Sequence, residues 1–182
     1  VPFRDMLTLC REAGNADMVY EFASTSKITF PGAGVAVMAA SEANLKYLSG
    51  LLGAQTISYD KVNQLRHVRF LQDKAHVLEL MQRHAAILRP KFEAVLAALR
   101  GIAPLNIASW TEPKGGYFVS CDAMPGTAKR VLALCAEAGV TMTPAGATYP
   151  GGNDPADSNI RIAPSFPPVE ELEQAMQIFC LA

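Results

Sequence analysis

The sequence has no excess of charge of either sign, since 16 basic and 17 acidic side chains leave a net charge of −1 at pH 7. A nucleic-acid-binding surface needs clustered lysine and arginine, so this balance argues against a nucleic-acid partner. Charges interrupt the apolar stretches, so no membrane span is predicted. Half of the residues are apolar and 18% are charged, a composition that predicts a soluble globular protein and excludes a disordered chain.

Paired cysteines are also lacking. The four cysteines lie far apart and form no CxxC pair, and a chain of this length needs no disulfide staples; they are Cys10, Cys121, Cys135 and Cys180. Reduced thiols are therefore expected. The first residues carry charges and show no apolar core of an export signal, which predicts a cytoplasmic protein. The absence of an initial methionine suggests a fragment, a processed product or a partial chain.

Metal and nucleotide motifs are absent as well. The three histidines, His67, His76 and His84, have no i, i+4 pairing of the kind that binds zinc on a helix. The turn Pro31–Gly34 has neither the full dinucleotide-binding glycine pattern nor the Gly-Lys-Ser/Thr of a phosphate-binding loop. No metal or nucleotide site is predicted.

The elements that are present alternate between helix and strand. Two strands are predicted early, at Met18–Ala23 and Val35–Ala39, and Ser41 is predicted to cap a helix. Apolar residues at three- and four-residue steps predict helix from about Asp60 to Leu99, kinked or split at Pro90. Further strands and helices are then expected, in this order: Ile107–Trp110, Tyr117–Cys121, helix Thr127–Ala138, Val140–Thr143, Asn159–Ala163 and helix Val169–Leu181.

Lys27 is the most informative residue. It follows Ser24, Thr25 and Ser26 at the end of the first predicted strand. In α/β folds, ligand-binding residues commonly lie at the carboxyl ends of strands. A lysine that binds pyridoxal phosphate covalently must lie near groups that hold the phosphate. On the residues alone, a solvated loop lysine is the competing interpretation.

Four segments in order give a resemblance to fold-type I, class I/II aminotransferases that depend on pyridoxal 5'-phosphate. They are Ala23–Lys27 with the following Pro-Gly turn, Pro113–Phe118, Glu137–Gly146 and Asn159–Ala163. Three segments are similar in amino-acid sequence to the MocR-like group of aspartate aminotransferases: Phe22–Phe30, Val62–Phe70 and Pro144–Pro150. This implies an α/β fold and the C-terminal portion of a longer protein.

The resemblance implies a role for each site residue. Lys27 would hold the cofactor covalently and move a proton during catalysis. Ser24 and Ser26, with Thr25 as a weaker candidate, would bind the cofactor phosphate, although capping of the strand end is the alternative. Arg161 would bind the α-carboxylate of the substrate through two parallel hydrogen bonds; pairing with a surface acid is the competing interpretation.

Two features depart from the family. Gly34 or Val35 stands where many relatives have a phosphate-binding arginine, so Lys61, Arg66 and Arg69 become candidate partners of the phosphate or of a substrate carboxylate. The residues that contact the pyridine ring in the family, and the helix N-terminus that receives the phosphate, normally precede this stretch. The 182 residues by themselves are therefore expected to be inactive.

The resemblance divides the chain into three parts: the end of the large cofactor-binding domain (1–53), a connecting helical segment (54–100) and a small C-terminal α/β domain (101–182). It implies transamination between an amino acid, plausibly aspartate, and a 2-oxo acid such as 2-oxoglutarate, by a homodimer. The alternatives are the pyridoxal-phosphate-sensing effector domain of a MocR-type transcription regulator and a catalytically inert truncated module. The side-chain preference of the substrate is left open.

Overall fold

The computed structural model describes residues 4–182, and these divide into two compact units, one up to Gln82 and one from Arg83 to Ala182. The helices are α1 (Met6–Glu12), α2 (Glu42–Gln55), α3 (Lys61–Leu71), α4 (Lys74–Ile102), α5 (Ala128–Glu137) and α6 (Val169–Leu181). The strands are β1 (Tyr20–Ser24), β2 (Ala36–Ala40), β3 (Ala108–Trp110), β4 (Val119–Ala123) and β5 (Asn159–Ile162). The α/β class predicted from the sequence is confirmed, while the three-part division at residues 53 and 100 stays a prediction.

The first unit contains a two-stranded antiparallel sheet, in which β1 pairs with β2. The register joins Tyr20 to Ala40 and Ser24 to Ala36, so the segment from 25 to 35 connects the strands at one end of the hairpin. Helix α2 follows directly, and its first turn is capped by the Ser41 side chain, which accepts the Asn44 N–H. The predicted cap is confirmed.

Helix α1, Met6–Glu12, lies within a short helix that the apolar spacing from Pro2 to Ala13 predicts. It begins at Met6 because the Asp5 side chain accepts the N–H groups of Leu7 and Thr8 and so satisfies donors that have no partner within the helix. The predicted start at Pro2 lies outside the described residues.

The second unit contains an antiparallel three-stranded sheet in the order β3-β4-β5. Strand β4 alternates: Val119 and Cys121 are buried in the core, whereas Ser120 and Asp122 belong to the opposite face. The core is formed by apolar side chains of α4, α5, α6 and the sheet, among them Val95, Leu99, Val119, Cys121, Cys135, Ile160, Ile162, Met176 and Phe179. None of the helices of residues 4–182 combines the length and the apolarity that crossing a membrane requires.

The predicted split at Pro90 and the predicted strand Val140–Thr143 were wrong, while the alternative of a kink at Pro90 stays a prediction. The helical stretch is not split at Pro90, which lies inside the continuous helix α4; the break comes at Gln72, whose φ of 55° ends α3. A proline costs the helix one backbone donor, whereas a residue with positive φ leaves the helical conformation altogether. Residues 140–143 form no strand. Val140 instead donates its N–H to the Cys135 carbonyl at 2.8 Å and completes the end of α5.

Candidate active site

Lys27 lies on a single helical turn that begins directly after β1. The Thr25 carbonyl accepts the N–H of Ile28 at 2.8 Å and that of Thr29 at 2.9 Å, which closes the turn around the lysine. Lys27 is exposed. The strand-end position predicted from the sequence is therefore confirmed, since β1 ends at Ser24.

Ser24 and Ser26 place two hydroxyl groups beside the lysine. Their Oγ atoms are 2.5 Å apart, and the Ser26 N–H donates to Ser24 Oγ at 3.1 Å. One hydroxyl proton is used between the two serines, so the second remains for another acceptor. Both residues are exposed. The pair is thus a small donor group at the end of the strand.

Gly34 packs directly against this pair. A Cβ atom at position 34 would lie 2.8 Å from Ser26 Oγ and 3.3 Å from the Ser26 Cα and N atoms. Gly34 therefore has no room for a side chain unless Ser26 moves. This contact gives a physical reason why an arginine does not stand at position 34, one of the two positions at which the family pattern places it.

The Thr25 side chain is engaged inside the protein. Its Oγ1 accepts the Val35 N–H at 2.9 Å and lies 3.1 Å from Nε2 of the buried His67. Thr25 also donates its own N–H to the Val35 carbonyl at 2.9 Å. These contacts join Thr25, at the start of the connecting segment, to Val35 at its end. Thr25 therefore stabilises the turn.

Helix α3 carries the three candidate cations, and all three are exposed. The structure brings one of them to the lysine segment: the Arg66 guanidinium lies over the Phe30 ring, 5.7 Å from its centroid. Cation–π contact of this kind orients an arginine without neutralising it. Of Lys61, Arg66 and Arg69, Arg66 is thus tied by this contact to the segment that contains Lys27.

Arg161 belongs to the second unit, on strand β5 opposite Ser120. Its guanidinium stacks over the Phe118 ring at 4.7 Å from the centroid. Its Nε is buried and has no hydrogen-bond partner within residues 4–182, a condition shared there only with Asn63 Oδ1. A buried donor without an acceptor is costly, and a carboxylate would satisfy it.

The face of the sheet that carries Arg161 is polar. Asn159 donates through Nδ2 to Ser120 Oγ at 2.9 Å and to Asp122 Oδ1 at 2.7 Å, and its Oδ1 accepts the Thr148 hydroxyl at 2.7 Å. Arg161 also contributes to the lining of a cleft of about 530 Å³ together with Val140, Met142, Phe166, Met176 and Phe179. The arginine thus stands between polar neighbours and apolar walls.

Asp154 holds the loop that leads into β5. Its carboxylate accepts three backbone N–H groups, from Ala156 at 2.9 Å and from Ser158 and Asn159 at 2.8 Å each. These hydrogen bonds, first those from Asn159 and Ser158, lower the pKa of the Asp154 carboxyl, because they stabilise its charged form. Sequence reasoning missed Asp154, although an acid after Gly-Asn in a turn-rich loop is typical of a side chain that accepts nearby N–H groups.

These observations can be compared with known proteins. The family model described as aspartate amino-transferase matches residues 2–182. The chain belongs to this family. An aspartate aminotransferase of Corynebacterium glutamicum is 49% identical over 173 residues, which cover 94% of this chain and 40% of the relative. The chain therefore spans about two fifths of the length of that relative.

Solved aminotransferase structures share the fold. A crystal structure of an aspartate transaminase from Corynebacterium glutamicum superposes with a TM-score of 0.92 at 47% identity, over 97% of this chain and 42% of that one. An α-aminoadipate aminotransferase from Thermus thermophilus, complexed with N-(5'-phosphopyridoxyl)-L-leucine, superposes with a TM-score of 0.78 at 22% identity, over the whole of this chain and 45% of that one. The second likeness concerns the fold alone. The aminotransferase family predicted from the four sequence segments is confirmed.

Proposed function

We propose that the protein containing this chain transfers an amino group between an amino acid and a 2-oxo acid with the aid of pyridoxal 5'-phosphate, aspartate and 2-oxoglutarate being the expected pair. The observation that carries the proposal is the exposed Lys27 on its closed turn, with the Ser24–Ser26 hydroxyl pair beside it, in a member of the aspartate aminotransferase family. We also propose that the protein belongs to fold-type I and to the MocR-like group, as the amino-acid sequences of residues 22–30, 62–70 and 144–150 support.

The residues present fit this cofactor. Its aldehyde carbon needs an amine, which Lys27 presents, and its phosphate needs hydrogen-bond donors, which the serine pair offers with one hydroxyl proton to spare. Gly34 keeps the space next to Ser26 free of a side chain. When bound, pyridoxal phosphate supplies a ring that withdraws electrons from the substrate's Cα.

Each residue then has a distinct task. Lys27 Nζ would hold the cofactor covalently and would move the proton at the substrate's Cα. The Ser24–Ser26 pair would donate its remaining hydroxyl proton to the phosphate, and Thr25, whose hydroxyl is engaged with Val35 and His67, stabilises the turn. Arg66 is the cation we assign to the phosphate or to a substrate carboxylate, because its contact with Phe30 ties it to this segment.

Arg161 is proposed to bind the substrate's α-carboxylate. Its guanidinium is oriented by Phe118 and its buried Nε has an unused proton. A carboxylate accepts two parallel hydrogen bonds from a guanidinium, so one oxygen would satisfy Nε and the other a terminal nitrogen. Lys27 belongs to the first compact unit and Arg161 to the second.

We further propose that the complete protein is longer than this chain and acts as a homodimer. Several large apolar side chains of the first unit are exposed, for example Phe22 at 76%, Tyr47 at 68% and Val62 at 74%. Exposed apolar side chains of this size are expected where other protein covers the surface. A cytoplasmic location belongs to the same proposal, because all four cysteines are free thiols, as is usual in a reducing compartment.

The experiment uses the complete protein with pyridoxal phosphate, borohydride reduction and peptide mapping. We expect the reduced label on Lys27, loss of the label in Lys27→Ala, and an unchanged label in the matched control Lys46→Ala, which alters an exposed lysine of α2. Transamination of aspartate with 2-oxoglutarate should disappear only in Lys27→Ala. A label on another lysine would contradict the assignment, and stoichiometric labelling without turnover would favour a sensing or inert module.

A further inference from the structure

His67 is one of three buried polar residues of the described chain, with only 5% of its surface exposed. Its ring is packed edge-on against Phe30, with centroids 5.3 Å apart, and Phe30 in turn contacts Phe70 at 5.0 Å. The ring is held by this packing and by the hydrogen bonds of its two nitrogen atoms.

The hydrogen-bond roles of His67 follow from its neighbours. Nδ1 lies 2.9 Å from the Asn63 carbonyl, which can only accept, so Nδ1 carries a proton and donates it. Nε2 faces two hydroxyls, Thr29 Oγ1 at 2.7 Å and Thr25 Oγ1 at 3.1 Å. Because Thr25 Oγ1 already accepts the Val35 N–H, its own proton is available to Nε2.

These two threonines flank Lys27 symmetrically in the sequence. Thr25 lies two residues before the lysine and Thr29 two residues after it, and both belong to the turn closed by the Thr25 carbonyl. One imidazole nitrogen thus joins both ends of the turn. The same face of α3 also carries Asn63, one helical turn earlier, whose Nδ2 donates to the Ala33 carbonyl at 2.8 Å.

We propose that His67 is a positioning residue for Lys27. It attaches the Thr25–Thr29 turn to helix α3, so that the backbone from which the lysine side chain extends keeps a fixed position. Asn63 extends the same attachment to the segment that returns to β2. The inference rests on the proposed function in so far as Lys27 is the residue that binds the cofactor. A histidine that only filled space would form no hydrogen bonds with the Thr25 and Thr29 hydroxyls.

The test is a double-mutant cycle between Thr29→Val and His67→Gln in the complete protein. Thr29→Val keeps the shape of the side chain and removes the hydroxyl, whereas the control Thr29→Ser keeps the hydroxyl. Two rates are measured: borohydride-trapped labelling of Lys27 by pyridoxal phosphate, and deuterium exchange of the Ile28 and Thr29 amides, which the turn protects. The second rate does not depend on the cofactor.

We expect each single variant to slow labelling of Lys27 and to speed amide exchange by roughly tenfold or more, since each loses at least one hydrogen bond. The double variant should change both rates by clearly less than the product of the two single effects, because the Thr29–His67 contact is lost in both, and Thr29→Ser should match the wild type. Unchanged rates in Thr29→Val, or a change in the double variant that equals the product of the two single effects, would overturn the proposal.

Two further outcomes are separable. If wild-type Lys27 takes no label, the proposed function fails, while amide exchange still decides whether His67 holds the turn. If His67→Gln does not fold, Thr29→Val is compared with Thr29→Ser, because the two differ in the hydroxyl that lies 2.7 Å from Nε2 and 3.2 Å from the Thr25 carbonyl. In that case, equal rates in the two threonine variants would overturn the positioning role.

Discussion

Gly146 offers a sharp test of the packing next to strand β5. It is buried with a φ of +81°, and a Cβ atom there would lie 2.1 Å from the Gly152 carbonyl oxygen and 2.8 Å from the Gly152 carbonyl carbon. Gly139, which ends α5, has a similar φ of +87° and no atom within 4 Å of a built Cβ. The two glycines therefore share the conformational demand and differ in the available space.

The expected magnitudes follow from this difference. In Gly139→Ala, the left-handed conformation costs about 1–2 kcal/mol, and the lower entropy of the unfolded chain returns about 0.4–1 kcal/mol, which leaves a loss of about 1 kcal/mol. In Gly146→Ala, backbone atoms must also move, and overpacking adds about 1–3 kcal/mol or more. We expect Gly146→Ala to lose about 2–4 kcal/mol in total.

The assay is urea unfolding followed by fluorescence. The single tryptophan, Trp110, lies on β3 in the second unit, so its emission reports the unit that contains both glycines. The difference between the two free energies of unfolding isolates the overlap at Gly152. If both alanine variants lose the same free energy, then the close approach of positions 146 and 152 does not constrain the protein and the reasoning is refuted.

Three other predictions concern charge and reactivity. Asp154→Asn should lower Tm at neutral pH, because the folded pKa of Asp154 lies below its ordinary 3.8 and the charged carboxylate therefore stabilises the fold above that value. This stabilisation is lost as pH falls through the folded pKa, so the difference in Tm between variant and wild type should disappear in acid; a constant difference would contradict this. Burial raises the pKa of the Cys121 thiol to about 12, so iodoacetamide at pH 8 should alkylate the half-buried Cys10 first and Cys121 only after unfolding. Peptide mass spectrometry measures the order, and early modification of Cys121 would refute the prediction. Arg161→Lys keeps the charge and loses the planar guanidinium that we propose binds the substrate carboxylate, so kcat/KM for transamination should fall by an amount worth about 1.5–3 kcal/mol. An unchanged kcat/KM would remove Arg161 from the proposed substrate site.

The sequence by itself determined the features that depend on neighbouring residues. The end of β1 before Lys27, the Ser41 cap of α2 and the last helix, Val169–Leu181, lie where the pattern predicted them. Each rests on local physics: strand formers that stop at a polar turn, a side chain that caps the first helical turn, and a proline followed by acids. The ordered segments around Lys27 and Arg161 were also enough to predict the family.

Tertiary structure decided what depends on distant residues. The sequence pattern could not show that His67 meets Thr25 and Thr29, because these contacts cross about 40 residues of chain, nor that residues 140–143 form no strand, because a strand needs a partner as well as suitable residues. The close packing of Gly34 on Ser26 and the buried Nε of Arg161 were equally hidden. Local propensity predicts which residues can form an element, whereas the folded chain determines which side chains are brought into contact and which polar atoms are left without partners.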